Sequence, residues 1–230
     1  ELYELLHFSI FNKIHFFYIT INFKLPLPDK LIPLKRKFYM NDAITVAVEL
    51  LGKIIVRKIR NRILTAKIVE TEAYLGDLDP GSHAFRGITE RNKVMFGTGG
   101  LVYIYFIYGN YFCFNVVCGE KGTANAVLIR AAEPLEGIHQ MEFYRGKIKN
   151  KFELTNGPAK LCLAMNIDKK LYGNDLTDDK HIFISELNKK QNFDILTSKR
   201  IGLNKGAEFP YRFFIKGNPF VTKHKFTVNC

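Results

Sequence analysis

Four cysteines in 230 residues (Cys113, Cys118, Cys162 and Cys230) are too few and too scattered for a disulfide scaffold. They predict reduced, intracellular thiols. Cys113 and Cys118 stand too far apart for a CxxC pair and no second pair follows, so the usual frame of a structural zinc site is missing. Neither GxGxxG nor a Walker loop follows a strand-like run, and a nucleotide cofactor has no support. Long apolar runs are missing as well. The uncharged stretch Ile14 to Phe23, bounded by Lys13 and Lys24, is too short to span a bilayer, and no small-residue cleavage site of a signal peptide accompanies it. There is no internal repeat. Acidic residues are scarce, 22 against 34 Lys and Arg, and the resulting formal charge of +12 makes a polyanion the expected partner.

What is present is ordinary globular material, 47% hydrophobic and 24% charged, enough for one domain with a sizeable core. Residues 1–33 read as an N-terminal extension, rich in Phe, Ile and Tyr and then punctuated by Pro26, Pro28 and Pro33. The basic, Pro-bearing stretch from Lys24 to Lys37 reads as an extended connector, and residues 34–230 are expected to form the domain. Within it, Asn41 or Asp42 caps a helix that runs to Leu51 and stops at Gly52. Lys53 to Arg60 and Ile63 to Tyr74 form a β-branched hairpin. Leu75 to Gly100 is a long Gly-rich loop, a kind of segment that is usually functional or disordered. Leu101 to Ile107 and Tyr111 to Val117 make a second, aromatic hairpin. Ala126 to Ala131 is a strand, Pro134 to Tyr144 and Pro158 to Met165 are helices, and Tyr211 to Ile215 with Phe220 to Thr222 close the sheet. Strands mostly follow strands, so the predicted class is α+β with a largely antiparallel sheet.

Three features point to chemistry. In Ile68-Val69-Glu70-Thr71-Glu72-Ala73-Tyr74, strand alternation puts Glu70, Glu72 and Tyr74 on one face. A solvated face would make both glutamates ordinary surface residues. A carboxylate at a strand end beside a loop His, His83, is instead suited to general-base work. In the aromatic hairpin Tyr103 and Tyr105 share a face that also receives Asn115 from the return strand, which implies an aromatic-walled pocket with one amide. Tyr108, at the tip of a tight turn, is hard to bury in its own sheet and is available as a wedge between base steps. Arg130 ends an apolar strand and needs an anionic partner. Arg86, Arg91 and Lys93 lie on the long loop as candidate phosphate contacts, and Lys160 stands near a helix start. The spacing of Glu72, Asp77, Asp79 and His83 matches no standard metal motif, and no metal is assigned.

The segments IVETEAYLG (68–76), SHAFRG and RNKVMFG in the loop, YIYFIYGNYFCFN (103–115), VLIRAAEPLEG (127–137), NGPAKLC (156–162) and RFFIKGNPFV (212–221) together resemble the alkyladenine (3-methyladenine) DNA glycosylase family. The resemblance runs from about Leu34 to Thr222. It implies a single α+β domain with a curved, largely antiparallel sheet, flanking helices and a projecting β-hairpin. It also implies a monofunctional base-excision enzyme that flips alkylated, and potentially deaminated, purines from duplex DNA and hydrolyses the N-glycosidic bond without lyase activity. By the same resemblance Glu72 is the general base for water, and Arg130 helps hold that water and the nucleotide. Tyr74, His83 and Tyr105 wall the base pocket, Asn115 disfavours undamaged guanine, Tyr108 intercalates, and no cofactor is needed. Damaged duplex DNA is then the expected partner, with no membrane. The enzyme is expected to be a monomer, located with the DNA in a bacterial cytoplasm or a eukaryotic nucleus. A non-catalytic nucleic-acid-binding module and a metal-dependent phosphodiesterase built on Glu72, Asp79 and His83 are the competing classes.

Overall fold

A computed structural model describes residues 30–107, 109–186 and 192–227. Its centre is one long strand. β1 (Ile54–Ile59) and β2 (Arg62–Leu75) form the first hairpin, with Arg60 in the left-handed region at φ 52° where the chain reverses. β2 is long enough to serve several neighbours. One edge pairs with β5 (Asn125–Glu136) over nearly its whole length, while the other pairs first with β1 and then, at Glu70–Glu72, with β8 (Arg212–Ile215). β3 (Val102–Ile107) and β4 (Tyr111–Cys118) extend the sheet beyond β5, β6 (Ile182–Ser185) borders β1, and β7 (Ile195–Ser198) pairs with β8. Every pairing is antiparallel, and the eight strands make one strongly curled sheet in a single α+β domain.

Apolar side chains of the sheet pack against α1 (Arg36–Tyr39), α2 (Ala43–Glu49), α3 (Ile138–Arg145) and α4 (Pro158–Ala164). α2 starts where Asp42 accepts hydrogen bonds from the backbone of Ile44 and Thr45, both 2.9 Å, and Gly52 takes φ 83° just past its end. The alternation in β2 holds: Val69, Thr71 and Ala73 face this core, where the Thr71 hydroxyl donates to the Ala47 carbonyl at 2.9 Å. Glu70, Glu72 and Tyr74 therefore face the other way, where Arg130, Arg212 and the backbone of Ile201 and Thr222 meet the two carboxylates.

Three local expectations change. The connector is not free to its end, because Pro33 bridges to Ser185 and Arg36, inside α1, bonds the Gly99 carbonyl at 2.6 Å and pairs with Asp175. Pro134 does not open a helix. β5 carries on through it to Glu136 beside an irregularity in the β2 register, and α3 begins only after Gly137 at φ 74°, where an added Cβ would lie 2.3 Å from Leu64. Phe220 to Thr222 is turn and coil rather than strand, held by Asn218 accepting from the Phe220 amide.

Candidate active site

The register of β2 against β5 breaks around Glu70, between Ile68 and Thr71, directly beside Arg130 on the partner strand. Such bulges bend a strand and re-aim its side chains. Here both glutamates lie wholly inside the protein, at 0% exposure, so the solvated-face reading fails. Buried carboxylates need donors. Glu70 receives Arg130 Nε at 3.0 Å and Arg212 Nε at 2.6 Å on one oxygen, and the Thr222 amide at 2.7 Å on the other. Glu72 receives the Tyr74 hydroxyl at 2.8 Å on Oε2 and the Ile201 amide at 2.8 Å on Oε1, with Arg130 Nη1 3.3 Å away. Burial works against the Arg130 charge, yet the adjacent Glu72 and Glu70 raise its pKa above the ordinary guanidinium value. The expectation that Arg130 has an anionic partner is met twice.

Next to this ion cluster is an aromatic cavity of about 50 Å³. Tyr74, His83, Tyr103, Tyr105 and Asn115 line it, with Met95, Ala126 and Leu203 completing the wall. Tyr103 and Tyr105 come from β3 and Asn115 from β4, where it lies directly across from Tyr103. The Asn115 amide donates to the carbonyls of Tyr103 at 3.1 Å and Cys113 at 3.4 Å, which fixes its orientation. His83 packs edge-on against Tyr105, ring centroids 4.5 Å apart, and its Nδ1 lies 2.8 Å from the Tyr103 hydroxyl. Burial against these rings, helped by nearby Arg91, lowers the His83 pKa to about 4, although part of the ring remains exposed. Burial also raises the Tyr74, Tyr103 and Tyr105 hydroxyl pKa values, so these groups keep their protons, and Tyr74 donates its own to Glu72.

A second, wider cavity shares Tyr74, Tyr105 and Leu203 with the first and is lined further by Arg130, Cys113, Asn156 and Lys160. Glu72 itself lies behind the wall that Tyr74 and Arg130 present to these spaces. The long loop over the site is ordered by Asn92, which is buried and bonds the carbonyls of His83 at 2.8 Å and Gly87 at 3.0 Å and the amide of Thr89 at 2.6 Å.

The sequence-predicted residues therefore divide. Glu72, Tyr74, His83, Tyr105, Asn115 and Arg130 come together. Arg86 and Arg91 are exposed on the loop, and Arg91 sits 5.5 Å over the Tyr105 ring at the cavity. Lys93 is exposed but paired with Glu90 at 2.9 Å, and Lys160 is bonded to Asn156 at 2.9 Å. Tyr108 lies outside the described residues. Asp79 is committed to Arg200 and His83 to Tyr103, and among the described residues no group of three or more His, Cys, Asp or Glu is placed to hold a metal. No helix of the described residues is long and apolar enough to cross a membrane.

Sequence reading missed Arg200, Arg212 and the buttressing part of Glu70. Arg212 meets Glu70 across 142 positions and Arg200 meets Asp79 across 121, so no local pattern signals either contact. The one available hint was the RFF start of the last strand, which places an arginine in otherwise apolar sequence, as with Arg130.

Comparison with known proteins bears on the same segments. The model of the methylpurine-DNA glycosylase family matches residues 37–219. A protein of Carboxydothermus hydrogenoformans, named "Putative 3-methyladenine DNA glycosylase", is 48% identical over 190 residues, covering 83% of this chain and 98% of that one. Proteins of the same name from Clostridium tetani and Clostridium botulinum are 47% and 46% identical, with the same coverage.

Proposed function

The chain belongs to the methylpurine-DNA glycosylase family, and from that premise we propose that it turns alkylated purines out of duplex DNA into the aromatic cavity and cuts their N-glycosidic bonds with water. It is a DNA-repair glycosylase, a hydrolase of N-glycosyl bonds acting on DNA. The observation that carries the finer reading is the buried, donor-laden Glu72 directly behind a cavity walled by Tyr74, His83 and Tyr105.

A purine alkylated at N3 or N7 is cationic. When its bond to C1′ breaks, the electron pair leaves with the base, which departs neutral and needs no proton. The sugar becomes oxocarbenium-like, and the Glu72 carboxylate both stabilises that charge and accepts the proton of the water whose oxygen bonds to C1′. One carboxylate thus does what ordinary glycosidases divide between two. Arg130 holds Glu72 in place and faces the nucleotide from the wider cavity. Stacked tyrosines favour a cationic ring by about 0.5 to 2 kcal/mol each, and unstacking costs least for damaged pairs. Asn115, held rigid by its bonds to two backbone carbonyls, disfavours undamaged guanine by occupying the space its 2-amino group would need. Deaminated adenine is neutral, so it leaves as an anion that takes its proton from solvent, and it is a slower substrate in this scheme. No lysine lines the aromatic cavity or stands in the matched segment that carries Glu72, and the mechanism includes neither a Schiff base nor strand scission. Arg86 and Arg91 contact phosphates, Tyr108 fills the emptied place in the stack, and residues 34–230 form the working domain behind the extension of residues 1–33.

The test is Glu72→Gln on a duplex oligonucleotide carrying 1,N6-ethenoadenine or hypoxanthine. Binding is expected to persist, while excision falls by about 10²- to 10⁴-fold, the range of a lost general base. Abasic sites accumulating at the parent rate would overturn the assignment of Glu72.

A further inference from the structure

Behind Tyr74 lies an arginine that touches neither cavity, with only 1% of its surface exposed. Arg200 follows β7 and opens the segment that returns to β8. Its guanidinium pairs with both Asp79 oxygens, Nη2 to Oδ1 at 2.7 Å, and also bonds the carbonyls of Ala73 at 2.9 Å and Gly206 at 2.7 Å. Its planar head sits over the rings of Tyr74, 4.7 Å from the centroid, and Tyr211, 5.5 Å. Room for it exists because positions 81 and 206 are glycines. A Cβ at either would lie 2.9 Å from Arg200 Nη2, and Gly206 has φ 63°. So many contacts on one fully buried cation fix the backbone that carries it.

The next residue is the one that matters. The Ile201 amide donates to Glu72 Oε1 at 2.8 Å, and Leu203, two further on, lines the aromatic cavity. We propose that Arg200 is a positioning residue for the reaction: by clamping the segment from 200 to 206 to Asp79, Ala73 and Tyr74, it keeps the Ile201 N–H on the Glu72 carboxylate and Leu203 in the cavity wall. The inference rests on the reading of Glu72 given above. The ionisable groups facing Glu72 are Arg130, Tyr74, Tyr105 and Cys113, with Glu70 behind Arg130 and Arg200 behind Tyr74. Only the Ile201 amide, among the donors to Glu72, is delivered by the Arg200 segment.

Arg200→Ala alone would leave Asp79 buried and unpaired, a change that commonly unfolds a protein. The test therefore uses the paired variant Asp79→Asn with Arg200→Met, in which Asn keeps an acceptor for the Gly81 amide, and Arg200→Lys as a second variant. Single-turnover excision of hypoxanthine is followed from pH 5 to 8, beside affinity for an abasic-site duplex and the thermal midpoint. The parent enzyme excises. In the folded paired variant we expect affinity within about threefold of the parent and excision lower by about ten- to a hundredfold, the range for a lost bond to a charged acceptor. The acid limb of its rate profile moves to higher pH, because a carboxylate with one donor fewer takes up its proton sooner. Arg200→Lys, a point donor that cannot span Asp79 and two carbonyls, falls in between. A folded paired variant that excises at the parent rate overturns the inference, and so does one whose rate and affinity fall together with the acid limb unmoved. If the parent enzyme releases no base from any lesion, the reading of Glu72 fails and this inference fails with it.

Discussion

Two glutamates two positions apart in β2 meet different fates, and the difference is set by their donors. Glu70 has both oxygens bound, by two arginines and a backbone amide, and so acts as a strut that holds Arg130 and Arg212. Glu72 shares Arg130 but otherwise receives only a tyrosine hydroxyl and one amide, and it stands behind the cavity wall. Alternation in the sequence puts both on one face and cannot tell them apart, since the distinguishing contacts come from positions 201, 212 and 222. His83 makes a related point. With its pKa lowered to about 4 by burial and by Arg91, it is neutral near pH 7. An imidazole that stays neutral contributes shape and a hydrogen bond with Tyr103. His83→Gln is therefore expected to slow excision by a factor that stays constant from pH 5.5 to 8, measured as the ratio of single-turnover rates. A ratio that drifts across that range would mean His83 titrates there. The sign for stability follows from the same shift. Between about pH 6.5 and about pH 4 the unfolded chain binds a proton at this position that the folded chain does not, so stability is lost as pH falls through that window.

At the scale of elements, the hairpin of β3 and β4 does two jobs with one alternating pattern. Tyr103, Tyr105 and Asn115 turn to the cavity, while Ile104, Phe114 and Val116 go to the core. Toward its end the pattern opens: Phe106 and Tyr111 are exposed at 53% and 39%, as are Gly109 and Asn110. Exposed rings on both sides of a reversal suit an element that enters a duplex, and in the sequence Tyr108 falls between them. Tyr108→Ala is expected to reduce flipping and to weaken affinity by about 1 to 3 kcal/mol, the scale of one base–aromatic stack, read with a fluorescent base analogue beside the lesion. Unchanged flipping would remove the wedge from the mechanism. Both hairpins and α2 were legible in the sequence because their signals are local: a period of two, a turn, and an Asp42 cap. β6 and β7 were not. Each has four residues, too few for alternation to show, and they exist by pairing with β1 and β8 far away in the chain. The extra length of β5 was hidden by Pro134, a residue that signals a break unless a distant partner strand accommodates it.

Over the whole molecule, the charge of +12 is a sum whose parts do different things. Arg130, Arg200 and Arg212 are buried against Glu70, Glu72 and Asp79, and of the three Arg130 alone lines one of the two cavities. Of the cations singled out on the loop, Arg86 and Arg91 are exposed and form no ion pair among the described residues, whereas Lys93 is paired with Glu90. Each phosphate neutralised contributes about −0.9 to the slope of log affinity against log salt. Two free arginines thus set a minimum slope of about −1.8, so duplex affinity falls by at least about tenfold between 50 and 200 mM salt. Steeper behaviour would count further lysines of the surface into the interface. Glu90 gives the sharper test, because the exposed pair it makes with Lys93 is of the kind that contributes little to stability. Glu90→Ala is expected to leave the thermal midpoint unchanged, to tighten binding at low salt, and to steepen the salt slope by about 0.9 as Lys93 is released to a phosphate. A slope unchanged by this substitution, with binding still salt-dependent, would place Lys93 off the path of the DNA and leave Arg86 and Arg91 as the contacts of the loop.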